Sequence, residues 1–455
     1  MPNGFTQVNA RRWLVAPIAS AKIAAVTEWA LVFVALAILA VAAVSRRLSG
    51  TILTPAMVLV AIGVLLGPKV LGEVEPSSYG EPVRVLAEAT LALVLFCDAS
   101  RIKLGALRRQ AGIPVRLLGI GLPLTIGLGA LAATLFDSMT VGEVLVLGVV
   151  LAPTDAALGQ VVVTEPRLPA RIRQGLNVES GLNDGICVPL LFIVLAAADV
   201  ESHVANGHHA VTIVLEEIGY GLLGGVGAGA LTAAVVVFAG RRDLIADSWL
   251  QVIPVTGAAL AYGSAAALGG SGFIAAFVAG ALFGALEQGD PARITRLAEE
   301  VGELLNGVTF LIFGAVLLGP ALSQLSWRVM LYAVISLTVV RMLPVAIAML
   351  GTGARWRTVA FLGWFGPRGL ASIVFALIVV QRSDLPQTPT ILVATYVTVG
   401  LSALLHGLSA APLAHRYARW YEAHAPDNRP AMESGPAEHH RARRSFATSA
   451  PTQGA

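Results

Sequence analysis

Long apolar stretches follow one another through most of the chain, with short polar segments between them. We count thirteen, at about residues 24–45, 51–67, 82–97, 112–136, 142–163, 172–198, 210–239, 249–268, 271–287, 301–319, 328–350, 357–380 and 390–413. A helix of about 17–25 residues crosses a hydrocarbon core with some tilt. The pattern therefore predicts an all-α polytopic membrane protein of about 13 transmembrane helices, because a spanning helix satisfies its own backbone polar groups.

Composition excludes a water-soluble globule. Of the 455 residues, 56% are hydrophobic and only 13% are charged, against roughly 25% charged in soluble domains. Cys97 and Cys187 both lie in apolar stretches, so we expect free thiols. We expect membrane lipid as a partner, and no nucleic acid.

The two ends of the chain differ from its apolar middle. Residues 1–23 begin with a polar head and precede a full-length span, so they are interpreted as an extracytoplasmic segment and not as a cleaved signal peptide. Residues 414–455 are rich in Pro, Gly, Ser and charge, which predicts a disordered cytoplasmic tail.

Loop charges predict the orientation. If the N-terminus is outside, the inward loops hold fifteen Arg and Lys residues and the outward loops hold four. Arg11, Arg12 and Lys22 lie in the N-terminal segment, which would then be outside, and they count against this orientation. The asymmetry favours an odd number of spans in the cell (inner) membrane, with the C-terminus in the cytoplasm.

Two spans are interrupted in the middle. In the fifth, Pro153 removes a helical hydrogen bond, and Thr154 and Asp155 follow it. In the twelfth, Arg368 lies within the run GWFGPRG. One such span is readily explained by the tolerance of membrane helices for Pro and Gly. Two of them, each with an ionisable residue beside the break, indicate a transporter with a binding site at the membrane midplane.

The separation of these two spans predicts inverted repeats. They lie seven spans apart, so residues 24–198 and 249–413 would form two six-helix halves of opposite orientation, joined by a linker helix at 210–239. The broken segments would then cross. Asp155 could face the N-terminal dipole of a half-helix and Arg368 a C-terminal one. The run GGVGAG in the linker helix is typical of close helix packing.

The sixth span carries the strongest chemical signal. Its polar half holds two i,i+4 pairs on adjacent faces, Glu179 with Asn183 and Ser180 with Asp184. An ionisable residue at this depth costs at least about 2.5–3.5 kcal/mol, so it marks a functional site by default.

These motifs together resemble a known family. The sequences APTD, ESGLNDG and GPRG in the fifth, sixth and twelfth spans resemble those of the monovalent cation/proton antiporters, in particular the sodium/proton exchangers of the NhaP type. The resemblance covers about residues 24–413. It implies a thirteen-helix homodimer with a static dimerisation domain and a mobile core holding two crossed broken helices.

The resemblance also implies roles for individual residues. Those that would bind the cation or proton are Asp184, Asn183, Asp155, Thr154 and Ser180. Those that would compensate charge or support the structure are Glu179, Arg341, Arg368 and Glu88. Glu179 would pair with Arg341, and Glu88 would support Asn183. For Glu179, Arg341 and Glu88 we favour packing and stability, and direct contact with the ion is the alternative role.

The chemistry of the residues is consistent with exchange of Na⁺ or Li⁺ for H⁺. A hard cation favours oxygen ligands, which Asp184, Asp155, Ser180 and Thr154 would supply. Cation and proton would compete for Asp184, and only a neutralised site could cross the apolar barrier. Because Asn183 is an amide, one acid titrates, which predicts electroneutral 1:1 exchange.

Three alternatives remain open at this point. A K⁺/H⁺ antiporter would use the same ligand types. A cation channel or uniporter would conduct without proton coupling, but no repeated filter loop is present. An intramembrane enzyme would need a nucleophile and base or metal ligands, and neither HExxH nor GxSxG occurs. We expect no cofactor beyond the transported ions.

Overall fold

The computed structural model describes residues 31–45, 47–48, 51–67, 80–102, 112–201, 207–286, 291–424 and 430–434. Within these ranges all regular secondary structure is helical, as predicted. The predicted N-terminal segment, residues 1–23, lies outside them. In chain order the helices are α1 Leu31–Ser45, α2 Pro55–Leu66, α3 Gly80–Ser100, α4 Gly112–Ala133, α5 Val141–Val150, α6 Gln160–Thr164, α7 Ala170–Glu201, α8 Gly207–Arg241, α9 Ser248–Ala267, α10 Gly272–Leu286, α11 Ile294–Gln324, α12 Trp327–Ala348, α13 Trp356–Trp364, α14 Leu370–Arg382, α15 Thr388–Glu422 and α16 Ala431–Ser434.

The helices have the lengths and surfaces of a membrane protein. Among the described residues, seven helices are long and apolar enough to cross a membrane, and five shorter apolar helices accompany them. Large apolar side chains such as Leu131, Leu223 and Leu331 are exposed on the outer faces of these helices, where lipid would cover them. The class of fold is therefore confirmed, and the count of thirteen spans stays a prediction.

Glycines bring three helices into close contact. A Cβ added at Gly225 or Gly229 would overlap the backbone of α10, and one added at Gly280 or Gly284 would overlap the backbone of α3. Small residues four apart allow membrane helices to approach in this way. The GGVGAG run of α8 is thus a packing surface against α10, as the sequence indicates.

The last long helix extends further than the apolar pattern predicts. Helix α15 continues to Glu422, nine residues beyond the predicted end of the membrane part at 413. Tyr417, Trp420 and Tyr421 lie at helical spacing among the charged residues there, and Tyr417 is buried against Phe361 of α13. This aromatic stripe explains why the segment is helical although its composition is polar.

A short part of the predicted disordered tail is also packed. Residues 430–434 include the helical turn α16, whose Glu433 is buried. The Glu433 carboxylate accepts hydrogen bonds from the backbone N–H of Arg355 (2.8 Å) and from the hydroxyl of Thr358 (2.7 Å). It therefore caps the N-terminus of α13, where the helix dipole favours an anion. The remaining residues of the tail lie outside the described ranges.

Candidate functional site

The two interrupted spans meet at their breaks. Helix α5 ends at Val150 and α6 begins at Gln160, while α13 ends at Trp364 and α14 begins at Leu370. The backbone N–H of Asp155, in the first break, donates to the carbonyl of Pro367 in the second (2.8 Å). Non-helical backbone at membrane depth requires partners within the protein, and here each break supplies one for the other.

Opposite charges lie at opposite half-helix ends of this crossing. The fully buried guanidinium of Arg368 donates to the carbonyls of Ala152 (2.6 Å) and Pro153 (3.1 Å), just beyond the C-terminus of α5. The Asp155 carboxylate accepts from the backbone N–H of Leu370 (3.3 Å), the first residue of α14, and from that of Ala157 (2.8 Å). Both side chains thus lie where the half-helix dipoles favour their charge.

Helix α7 holds the first break through two of its polar side chains. The Ser180 hydroxyl donates to the carbonyl of Thr154 (2.5 Å) and accepts from the backbone N–H of Ala156 (2.8 Å). The Asn183 amide donates to the hydroxyl of Thr154 (2.6 Å). Asp184 follows on the same helix and is buried. Ser180 and Asn183 therefore join the motif of the sixth span to that of the fifth.

Asp184 lies beside the contact between α7 and two other helices. A Cβ at Gly185 would overlap the ring of Phe277 on α10, and one at Gly181 would lie 3.5 Å from the Cβ of Asp98 on α3. Because Gly181 is one turn before Asp184, the acid lies near the junction between the crossing and the pair α3–α10.

The structure does not place Glu88 where the resemblance implies. Its carboxylate accepts from the hydroxyl of Tyr262 on α9 (2.8 Å) and lies 4.0 Å from Arg84, and it makes no hydrogen bond to Asn183. Ten residues along a helix correspond to about 15 Å, so Glu88 and Asp98 occupy different depths. The acid of α3 that faces α7 is Asp98. Its signal in the sequence was an ionisable residue at the end of an uninterrupted apolar run.

A buried ion pair completes the site. Glu179 of α7 and Arg341 of α12 form two parallel hydrogen bonds, Nη1–Oε1 at 2.5 Å and Nη2–Oε2 at 2.8 Å. Gly366, in the second break, lies so close that a Cβ there would overlap the Arg341 side chain. The pair is therefore packed directly against the crossing.

A small cavity lies at the first break. It has a volume of about 20 Å³, and Thr154, Asp155, Ser180, Phe365 and Pro367 contribute to its lining. This is about the space that one water molecule needs. Carboxylate, hydroxyl and carbonyl oxygens around such a space are ligands suited to a small hard cation.

Crossed half-helices with buried charges at their ends define a class of protein, the secondary transporters with discontinuous helices. Comparison of sequences gives the family: residues 32–416 match the profile described as "Sodium/hydrogen exchanger, transmembrane". The chain belongs to the sodium/hydrogen exchanger family.

Individual relatives and solved structures agree with this assignment. A K(+)/H(+) antiporter NhaP2 of Shewanella sp. (strain ANA-3) is 25% identical over 380 residues, covering 80% of this chain and 62% of the relative. An Na(+)/H(+) antiporter of Saccharomyces cerevisiae is 25% identical over 348 residues, covering 72% of this chain and 35% of the relative. The chain thus spans about three-fifths or less of the length of these curated relatives. The structure of the sodium proton antiporter MjNhaP1 from Methanocaldococcus jannaschii superimposes with a TM-score of 0.72 at 18% identity, covering 87% of this chain and 99% of that one.

Proposed function

We propose that this chain exchanges a monovalent cation for a proton by alternating access, with the two ions competing for Asp184. The balance of buried charge at the crossing is the observation that supports this most directly. Among the residues that the structure describes, five buried charged side chains lie there: Asp155, Glu179, Asp184, Arg341 and Arg368. Glu179 pairs with Arg341, and the three acids and two arginines together have a net formal charge of minus one. One proton or one cation neutralises it.

This balance explains obligatory exchange. A site carrying an uncompensated charge pays a large desolvation penalty when it moves through an apolar barrier. Loaded with either ion, the site is neutral and can cross. The same balance makes the exchange electroneutral at one cation per proton, so the roughly 2.3 kcal/mol per charge available at 100 mV does not drive it.

Na⁺, or Li⁺, is our first choice of cation, and K⁺ is the alternative. The first choice rests on the resemblance to the sodium/proton exchangers, because the space of about 20 Å³ lined by Thr154 and Asp155 could hold either cation without its water shell. The Shewanella relatives are named as K(+)/H(+) antiporters and the yeast relative as an Na(+)/H(+) antiporter, so both cations must be tested.

Further parts of the proposal concern the whole assembly. The excess of Arg and Lys in alternate loops supports a multi-pass protein of the cell membrane with its N-terminus outside and its C-terminus in the cytoplasm. A homodimer is proposed from the resemblance to the NhaP-type exchangers. In such a dimer the core containing the crossing would move and the remaining helices would stay fixed.

Proton flux in proteoliposomes tests the proposal. A pH gradient is imposed, and Na⁺, Li⁺ or K⁺ is added to wild type and to Asp184→Asn, with and without a voltage clamp. Asp137→Asn is the matched control, because it makes the same substitution at a side chain that is 73% exposed. We expect cation-dependent collapse of the gradient in wild type and the control, unaffected by the clamp, and none in Asp184→Asn.

Other results would contradict distinct parts of the proposal. Collapse that persists in a folded Asp184→Asn protein would refute competition at this carboxylate. Rates that change with the clamped voltage would refute electroneutrality. Cation flux in wild type without proton coupling would indicate a channel or uniporter instead.

A further inference from the structure

The second break leaves backbone polar groups that the crossing alone does not satisfy. Helix α13 ends at Trp364, and residues 365–369 are non-helical before α14 begins. The Arg368 N–H lies here in the buried interior, and the part-buried Trp364 carbonyl accepts one hydrogen bond within the break, from the N–H of Gly366 (2.9 Å), which leaves its second lone pair for another donor. A buried backbone group without a partner is strongly unfavourable where water is excluded.

Two polar residues of α15 supply these partners. Ser402 and His406 are one turn apart on this helix and are both almost completely buried. The Arg368 N–H donates to the Ser402 hydroxyl (2.7 Å), and His406 Nε2 lies 2.9 Å from the Trp364 carbonyl. Neither residue belongs to the motifs that identify the family, and neither was a candidate from sequence.

The hydrogen bonds from Trp364 through His406 and Ser402 to Arg368 form one continuous chain. A carbonyl oxygen can only accept, so Nε2 carries the proton that is donated to Trp364. Nδ1 of the neutral ring then accepts from the Ser402 hydroxyl (3.1 Å). The Ser402 hydroxyl in turn accepts from the Arg368 N–H. Two side chains of α15 thus link the Trp364 carbonyl to the Arg368 N–H across the break.

Ring packing reinforces this contact. The rings of Trp364 and His406 lie 5.1 Å apart between centroids, and the Trp364 indole N–H donates to the hydroxyl of Ser409 (2.9 Å). Ser402, His406 and Ser409 follow i, i+4, i+7 spacing, so a single face of α15 holds the segment.

Residues 365–369, which α15 holds in place, also make the contacts with the other broken helix. Pro367 accepts from the Asp155 N–H, and the Arg368 side chain donates to Ala152 and Pro153. We propose that Ser402 and His406 are positioning residues for transport, which fix residues 365–369 so that the two breaks engage correctly. The transport part of this inference rests on the proposed function, whereas the structural part does not.

The first test measures the break directly. His406→Phe keeps a ring but loses both hydrogen bonds, and His406→Gln retains a donor for Trp364. His415→Phe is the matched control, because His415 lies on the same helix with its side chain 52% exposed. Hydrogen exchange read by mass spectrometry on peptides covering 365–370 should be about ten-fold faster in His406→Phe, in proportion to one lost buried hydrogen bond. It should stay near wild type in His406→Gln and in the control.

The second test measures transport per folded protein. We expect His406→Phe to lower the maximal exchange rate about ten-fold and to change the half-saturating cation concentration, with both recovered in His406→Gln. If His406→Phe does not fold, Ser402→Ala removes the same chain at its other end and serves in both tests. Folded variants with wild-type exchange protection at 365–370 would overturn the positioning role. Variants with altered protection but wild-type kinetics would overturn its role in transport. Absence of cation-coupled flux in wild type would refute the proposed function, and the protection data would still decide the positioning.

Discussion

The ion pair between Glu179 and Arg341 offers a quantitative test of how the site is stabilised. Each side chain is only 4% exposed, and the two parallel hydrogen bonds have lengths of 2.5 and 2.8 Å. Removing one partner leaves the other charge buried without compensation, which costs about 3–5 kcal/mol. Replacing both by apolar residues of similar volume is often neutral or even stabilising, since neither desolvation penalty is then paid.

We therefore expect Glu179→Leu and Arg341→Met each to lose about 3–5 kcal/mol of unfolding free energy. The double variant should lose less than either single variant. Unfolding in detergent micelles, followed by fluorescence and analysed as a double-mutant cycle, measures these differences. The exposed pair Arg296–Glu300, at 62% and 44% exposure, is the matched control and should contribute about 0–1 kcal/mol.

Additive losses in the cycle would refute the reasoning, because they would show that neither charge depends on the other. Single variants as stable as the exposed control would refute it too. The double variant removes one charge of each sign, so any exchange that it retains should still be insensitive to voltage.

Three further predictions follow from the contacts of individual residues. Gly369→Ala would overlap the side chain of Asp155, so it should reduce proton–cation exchange about ten-fold or more in liposomes containing folded protein. A folded variant with wild-type flux would contradict this. Arg382→Gln should lower the thermal unfolding temperature more than Glu217→Gln does, because Glu217 is 2% exposed and Arg382 is 54% exposed, so only the first change leaves a buried charge alone. The reverse order would be inconsistent with this. Glu433→Ala should speed amide exchange at the start of α13, which its carboxylate caps, as measured by mass spectrometry. Unchanged protection there would show that α16 does not hold this end.

The interrupted spans were predictable because their residues have few alternatives in a membrane. Pro153 cannot donate a helical hydrogen bond, and Asp155 and Arg368 are costly in an apolar span unless they face each other's half-helix ends. Sequence spacing then placed the two breaks seven spans apart. The hydrogen bonds between them follow from these constraints.

Positions that depend on helix rotation and depth were less predictable. Glu88 and Asp98 lie on the same helix, and the position of Asp98 at the end of an apolar run does not by itself show which acid meets α7 and which meets Tyr262. His406 looks like an isolated polar residue in an apolar helix until Trp364 is placed beside it. At the end of α15, the composition is dominated by charged and small residues, so the packing of Tyr417 and Trp420 could not be predicted from it.

The geometry of the crossing separates the roles of its two acids. Asp155 accepts from two backbone N–H groups, one from its own segment and one from α14, so its carboxylate joins the two broken helices. Asp184 follows Asn183 on α7, near the junction with α3 and α10. Under the proposed function, Asp155 and Arg368 would act as fixed charges of the scaffold, and Asp184 would be the acid whose charge the transported ions alternately neutralise.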